Sequence, residues 1–158
     1  MSYLEVKNIK KEYKEFLLDV DFSIEKGELV AIIGPSGGGK STLLSIISGI
    51  EKADKGSIIL DGKDITNEPI EKKNIGFIFQ DYALFSSMNV EKNIEFGMKK
   101  KTKEEKKKET ETLLSLVGLS GYEKRKVDTL SGGEAQRVAL VRSIAAEPQI
   151  LLLDEPLS

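Results

Sequence analysis

Gly34-Pro35-Ser36-Gly37-Gly38-Gly39-Lys40-Ser41 constrains the fold of this chain more than any other stretch. It fits the pattern G-x-x-x-x-G-K-[ST], in which a glycine-rich turn leads from a strand into a helix. The flanks agree with that reading. Leu29 to Ile33 is a continuous apolar run, as expected of a strand buried on both faces. Lys40 to Ser48 carries Leu43, Leu44, Ile46 and Ile47 at helical spacing and stops at Gly49, a fitting left-handed C′ residue. In such a unit the glycines let backbone N–H groups turn inward around phosphates, and the helix aims its positive end at them. Lys40 would reach the β and γ phosphates of a nucleoside triphosphate, and the Ser41 hydroxyl would ligate Mg²⁺.

Around this unit the chain reads as mixed α/β. Tyr3 to Ile9 and Val20 to Ile24 alternate apolar and polar residues like antiparallel strands, and Gly27-Glu28 marks a turn. Ser57 to Leu60 followed by Asp61-Gly62 predicts a strand entering a tight hairpin. Ile75 to Phe79 predicts a further buried strand ending at Gln80. From Asp81 to about Ala146 the pattern turns helical. Thr102-Lys103-Glu104-Glu105 forms a capping box, and a later helix runs through Val138, Leu140, Val141 and Ile144 until Pro148. Ile150 to Leu153 then reads as a fully buried strand with Asp154 and Glu155 at its tip. An acid there faces the crevice in which α/β folds place ligands. Asp154 would hold Mg²⁺ through its water shell and Glu155 would polarise an attacking water. Taken without the phosphate loop, the same pair is equally an ordinary strand-end turn.

Composition narrows the partners. The chain has 158 residues, a formal net charge of −2, no cysteine and no histidine. Disulfides and thiolate metal sites are excluded, and nothing in the balance of charge calls for a nucleic-acid partner. Lys99 to Glu111 is locally rich in lysine, but glutamates interleave and a solvated helix face accounts for it. No apolar run approaches the about 18 residues of a membrane span, so any membrane role is peripheral.

Leu130-Ser131-Gly132-Gly133-Glu134-Ala135-Gln136-Arg137, set between Gln80 and Asp154, resembles the signature sequence of the ATP-binding cassette (ABC) family. On its own a Ser-Gly-Gly helix start is an unremarkable cap. The resemblance extends from end to end and implies ATP and Mg²⁺ as ligands. It implies a P-loop NTPase (RecA-like) core, residues 1–80 and 147–158, with an N-terminal antiparallel β subdomain. A helical signature subdomain, residues 81–146, is inserted in that core. Carried over residue by residue, it assigns Gly34, Pro35, Ser36, Gly37, Gly38, Gly39, Lys40, Ser41 and Thr42 to the phosphates and Tyr13 to stacking on adenine. Ser131, Gly132, Gly133 and Glu134 would meet the γ-phosphate held by a partner subunit. Gln80 matches the loop that senses Mg²⁺ and the membrane partner. The metal set is then Ser41, Gln80 and Asp154, and the catalytic set Glu155, Lys40 and Gln80.

The family resemblance implies a head-to-tail dimer with a second ATP-binding subunit, peripheral on the cytoplasmic side of the cell membrane. Permease subunits and an extracytoplasmic binding protein would complete an importer. The segment Gln80 to Phe85 through Val90 to Ile94 resembles the importer branch serving sugars, polyamines, ferric iron, thiamine or oxyanions. A soluble ABC ATPase of DNA repair or translation, or a non-catalytic nucleotide-binding fragment, are the alternatives. Departures are Gly38, where a small non-glycine residue is common, Glu134 in place of Gln, and Val127 in place of Pro. Relative to the family pattern, the aspartate loop and switch histidine that follow the catalytic acid are expected to be missing after Ser158. The single domain, residues 1–158, is therefore expected to be C-terminally truncated and, as this chain alone, inactive.

Overall fold

The computed structural model describes residues 2–155, so Pro156, Leu157 and Ser158 lie outside the described residues. It divides into two compact units, residues 1–74 and 75–158, which places the strand before Gln80 with the helical segment.

In the first unit β1 (Ser2–Tyr13), β2 (Phe16–Glu25), β3 (Lys55–Leu60) and β4 (Lys63–Asp64) form an antiparallel sheet in the order β2-β1-β3-β4. Both leading strands run longer than the alternation alone indicates. Cross-strand pairs Leu4–Leu60 and Val6–Ile58 put apolar side chains on one face, where all four are buried. Ile9 is also buried although it lies three residues after Val6. The register slips between them, at Asn8 with φ 49°, and this bulge returns Ile9 to the inward face. Asp61 and Gly62, at φ 49° and 77°, make the hairpin turn expected from the sequence. Helix α1 (Lys40–Ser48) buries Leu43, Leu44, Ile46 and Ile47 and ends at Gly49, φ 89°, as expected.

A first expectation fails. Leu29 to Ile33 forms no strand, and Leu29 and Ile33 are 93% and 92% exposed. A strand apolar on both faces needs a ladder on each edge and cover above and below. Among the described residues no strand pairs with the segment, which enters neither the four-stranded sheet nor the β5/β6 pair.

In the second unit β5 (Ile75–Ile78) and β6 (Ile150–Leu153) pair in parallel, Ile75 opposite Ile150 through Ile78 opposite Leu153. Only Ile78 and Leu152 of the eight are buried, so β5, which ends at Ile78, and β6 are both half-covered rather than the buried strands expected. A two-stranded ladder leaves both outer edges and part of each face uncovered. Gly76 permits the approach of Leu151, whose Cδ1 would stand 2.9 Å from a Cβ there.

Helices α2 (Val90–Glu95), α3 (Lys103–Leu116) and α4 (Gly132–Ala145) make the core of this unit from Val90, Ile94, Leu114, Val138 and Val141, together with Met98, Leu119 and Val127 from the segments between them. The Thr102–Glu105 capping box opens α3 as the sequence indicates. The lysine-rich start of α3 is exposed, and Lys101 pairs with both Glu109 and Glu147. Among the described residues no helix is long and apolar enough to cross a membrane.

Candidate nucleotide-binding site

The phosphate loop sits in the first unit. Gly37 and Gly39 hold φ of 75° and 81°, conformations that L side chains rarely adopt. Gly39 is the N-cap of α1 and offers no side-chain cap to its first turn. Gly38 N–H donates to Pro35 O at 3.1 Å and closes the turn. The Lys40 ammonium donates to Gly34 O at 2.9 Å and Pro35 O at 2.8 Å, folding back over its own loop. Those neutral carbonyls are weaker acceptors than a phosphate oxygen, so the ammonium is placed to change partners when an anion arrives. A Cβ at Gly34 or Gly37 would meet nothing within 4 Å, so the cradle is open on that side. Pro35, Ser36, Gly38 and Ser41 are exposed and Thr42 is half-buried.

Tyr13 stands beside this helix start. Its ring stacks on Phe16 at 6.3 Å and 26°, and Phe16 in turn abuts Gly39 so closely that a Cβ there would lie 2.4 Å from its ring. The Tyr13 hydroxyl donates to Glu51, with the Thr42 side chain also beside it. The bond to Glu51, ahead of burial, raises the phenol above its ordinary value. At 41% exposure the ring keeps open surface for a planar ligand. Tyr13, Gly39 and Thr42, far apart in sequence, are thus brought together.

Gln80, Asp154 and Glu155 belong to the second unit. Asp154 N–H donates to Ile78 O at 3.0 Å, carrying the parallel ladder one residue beyond β6. The acid therefore lies at the C-terminal edge of the β5/β6 pair, the edge from which Phe79 and Gln80 leave β5. Gln80 and Glu155 are both exposed, and Glu155 has φ 48°.

Two residues that shape this edge are not visible in the motifs. Arg142 of α4 donates to Ala83 O at 2.7 Å and Tyr82 O at 3.1 Å, holding both residues at positive φ just after Gln80. Burial lowers the Arg142 guanidinium from its ordinary value. Asn93, fully buried in α2, accepts from Phe85 N–H and donates to the carbonyls of Phe85, Met88 and Asn89. A polar residue between Val90 and Ile94, on an otherwise apolar helix face, is the signal the sequence carried for it.

The signature residues form the start of α4. Ser131 is the N-cap, its hydroxyl accepting from Glu134 N–H at 3.4 Å, while Glu134 Oε2 accepts from Ser131 N–H at 2.8 Å. Tyr122 donates to the other carboxylate oxygen at 2.7 Å. These bonds, the Ser131 N–H first, hold the Glu134 carboxyl below the ordinary carboxylate range. Ser131, Gly132 and Gly133 are exposed, and a Cβ at either glycine would meet nothing within 4 Å. Arg137 closes the turn behind them, donating to Gly133 O at 3.2 Å and Val117 O at 2.9 Å.

The described residues hold no cluster of three acidic, histidine or cysteine groups able to cage a metal alone. Single oxygens such as those of Ser41 and Asp154 suit Mg²⁺, which keeps waters and takes other ligands from phosphate.

The model of the family described as "ABC transporter" matches residues 17–158. The sulfate/thiosulfate import ATP-binding protein CysA of Synechococcus elongatus is 50% identical over 157 residues, covering 97% of this chain and 46% of the relative. The molybdate/tungstate import ATP-binding protein WtpC of Thermococcus kodakarensis is 52% identical over 156 residues, covering 97% and 47%. The chain thus spans about half the length of these relatives. Among solved structures, a dimeric post-hydrolysis state of the ATP-binding cassette MJ0796 bound to ADP and Pi superposes with a TM-score of 0.85. That match is 32% identical and covers 98% of this chain and 74% of the other.

Proposed function

The chain belongs to the ABC transporter family, and from that premise we propose that it binds and hydrolyses ATP to power import through a membrane permease. The observation that carries this reading is the phosphate loop: an uncapped helix start, two glycines at positive φ, and a lysine ammonium resting on replaceable carbonyl acceptors. Gly34 to Thr42 hold the phosphates and Tyr13 the adenine. Ser41 and Asp154, with Gln80 nearby in role, hold Mg²⁺, which when bound neutralises charge on the phosphates. Residues 1–80 and 147–158 act as the nucleotide core and 81–146 as the helical subdomain.

Catalysis requires a second subunit. The exposed start of α4, with the Ser131 to Glu134 turn already closed, supplies N–H groups and a helix dipole to a γ-phosphate held by the partner in a head-to-tail dimer. Glu155 orients the attacking water and accepts its proton. Closure on ATP and opening after hydrolysis would drive permease subunits from the cytoplasmic face of the membrane, with an extracytoplasmic binding protein delivering cargo. The relatives are named for the import of sulfate, thiosulfate, molybdate and tungstate. These support a tetrahedral oxyanion as the cargo class.

Glu155→Gln separates binding from chemistry. In a protein extended at its C-terminus to the length of the relatives, the variant should bind ATP as the parent does, lose hydrolysis by on the order of 10²-fold or more, and accumulate as an ATP-bound dimer in size-exclusion chromatography with Mg-ATP. Parental turnover in this variant would remove Glu155 from the catalytic role.

A further inference from the structure

Helix α1 touches the base platform at both of its ends. At its start, Phe16 abuts Gly39 and stacks on Tyr13, as described above. At its end, Gly49 turns the chain and Glu51 N–H donates to Ser45 O at 3.1 Å, which fixes residue 51 against the last helical turn. The following residues are stitched to β1. Asp54 N–H donates to Lys10 O at 2.8 Å, and Glu12 N–H donates to the Asp54 carboxylate at 2.8 Å. Lys11 lies 3.3 Å from Asp54 and 3.7 Å from Glu51. The backbone of Glu51 is therefore fixed by its own bond, while its carboxylate faces the Lys11 ammonium and accepts the Tyr13 hydroxyl bond.

We propose that Glu51 is a positioning residue for nucleotide recognition, fixing the Tyr13 ring in the orientation that stacks on the base. The proposal rests on the reading of Tyr13 as the base platform. A partly exposed tyrosine at a strand end otherwise exchanges rotamers on the ps–ns scale and must be immobilised when a ligand stacks on it. A ring held in advance avoids that loss on binding, and the gain is roughly three- to tenfold in affinity. Because Glu51 also hangs from the end of the phosphate-loop helix, α1 sets the span between phosphate cradle and base platform.

Calorimetric titration of the protein with Mg-ATP and, separately, with Mg-tripolyphosphate reads the two halves of the ligand. Tyr13→Ala should weaken ATP by about tenfold or more and leave tripolyphosphate unchanged. Glu51→Ala and Tyr13→Phe should each weaken ATP by roughly three- to tenfold, again sparing tripolyphosphate. The double variant should be no weaker than either single one, since both remove the same bond. Glu51→Gln, whose amide oxygen still accepts from the hydroxyl, should restore most of the affinity. Equal loss for both ligands in Glu51→Ala would make Glu51 a support of the fold and overturn the proposal, as would no loss for either. If Tyr13→Ala binds ATP as the parent does, the base platform is misassigned and the proposal falls with it. If Tyr13→Ala weakens ATP while Glu51→Ala does not, only the positioning role is lost.

Discussion

In the proposed function helices α1 and α4 both offer an N-terminus to phosphate, and they are built in opposite ways. Helix α1 starts at a glycine in the left-handed region with no side-chain cap, and its nearest cation is bonded to carbonyls of its own loop. Helix α4 starts at a serine in a complete capping box, with a tyrosine and an arginine bracing the turn. The first has no side-chain cap at its start, while the second closes its own end with a capping box. The difference fits the proposed roles, in which the loop wraps one nucleotide and the helix end meets another already wrapped.

Alanine in place of each leading glycine sharpens this contrast most. Gly39→Ala puts a side chain at φ 81° and within 2.4 Å of the Phe16 ring. It should destabilise the first unit by about 1–3 kcal/mol, read as a lower urea midpoint for the loss of α1. Gly132→Ala meets no atom within 4 Å and should change stability by at most about 1 kcal/mol, in the favourable direction. Equal losses at both sites would mean that the two ends share one design.

Next in size is the cap itself. Ser131→Ala removes the acceptor for Glu134 N–H and should cost about 1 kcal/mol, seen as faster amide hydrogen exchange in the first turn of α4. Binding of ATP to the phosphate loop of the same subunit should not change. A parallel loss of ATP affinity would break the division of labour between the two helix ends.

The smallest effect is with pH. The Glu134 carboxyl is held below its ordinary value by Ser131 N–H and the Tyr122 hydroxyl. A depressed acid contributes stability above its unfolded pKa, about 4.3 for glutamate, and that contribution is lost as pH falls through the folded value. The Ser131 amide resonance should therefore hold constant from neutral pH to below the ordinary glutamate range and shift only under more acid conditions. In Tyr122→Phe the shift should move to higher pH. An unchanged midpoint in that variant would remove the tyrosine from the brace.

Much of both ends was legible in the sequence, because each motif is local. Glycine spacing announces positive φ, and Thr102–Glu105 and the hairpin at Asp61-Gly62 follow from chemistry within four residues. What failed or was invisible depends on distant partners. Leu29 to Ile33 reads as a strand from its side chains, yet a strand exists only where a neighbour supplies a ladder, and none of the described strands does. The same limit makes Ile150 to Leu153 a strand with less cover than its composition suggests. Arg142 gripping residues 82 and 83, Asn93 holding residues 85–89, and Glu51 reaching Tyr13 are pairings fixed by topology, and spacing along the chain does not reveal them.

The central claim is that the loop before α1 takes the phosphates and that Lys40 is its movable cation. Titration of Lys40→Ala with a fluorescent ATP analogue, beside the parent protein, tests it most directly. Loss of the ammonium should weaken ATP and ADP by at least about tenfold, or ~1.4 kcal/mol, while the helices keep their far-ultraviolet dichroism. Equal affinities in the two proteins would place the phosphates elsewhere and contradict the account.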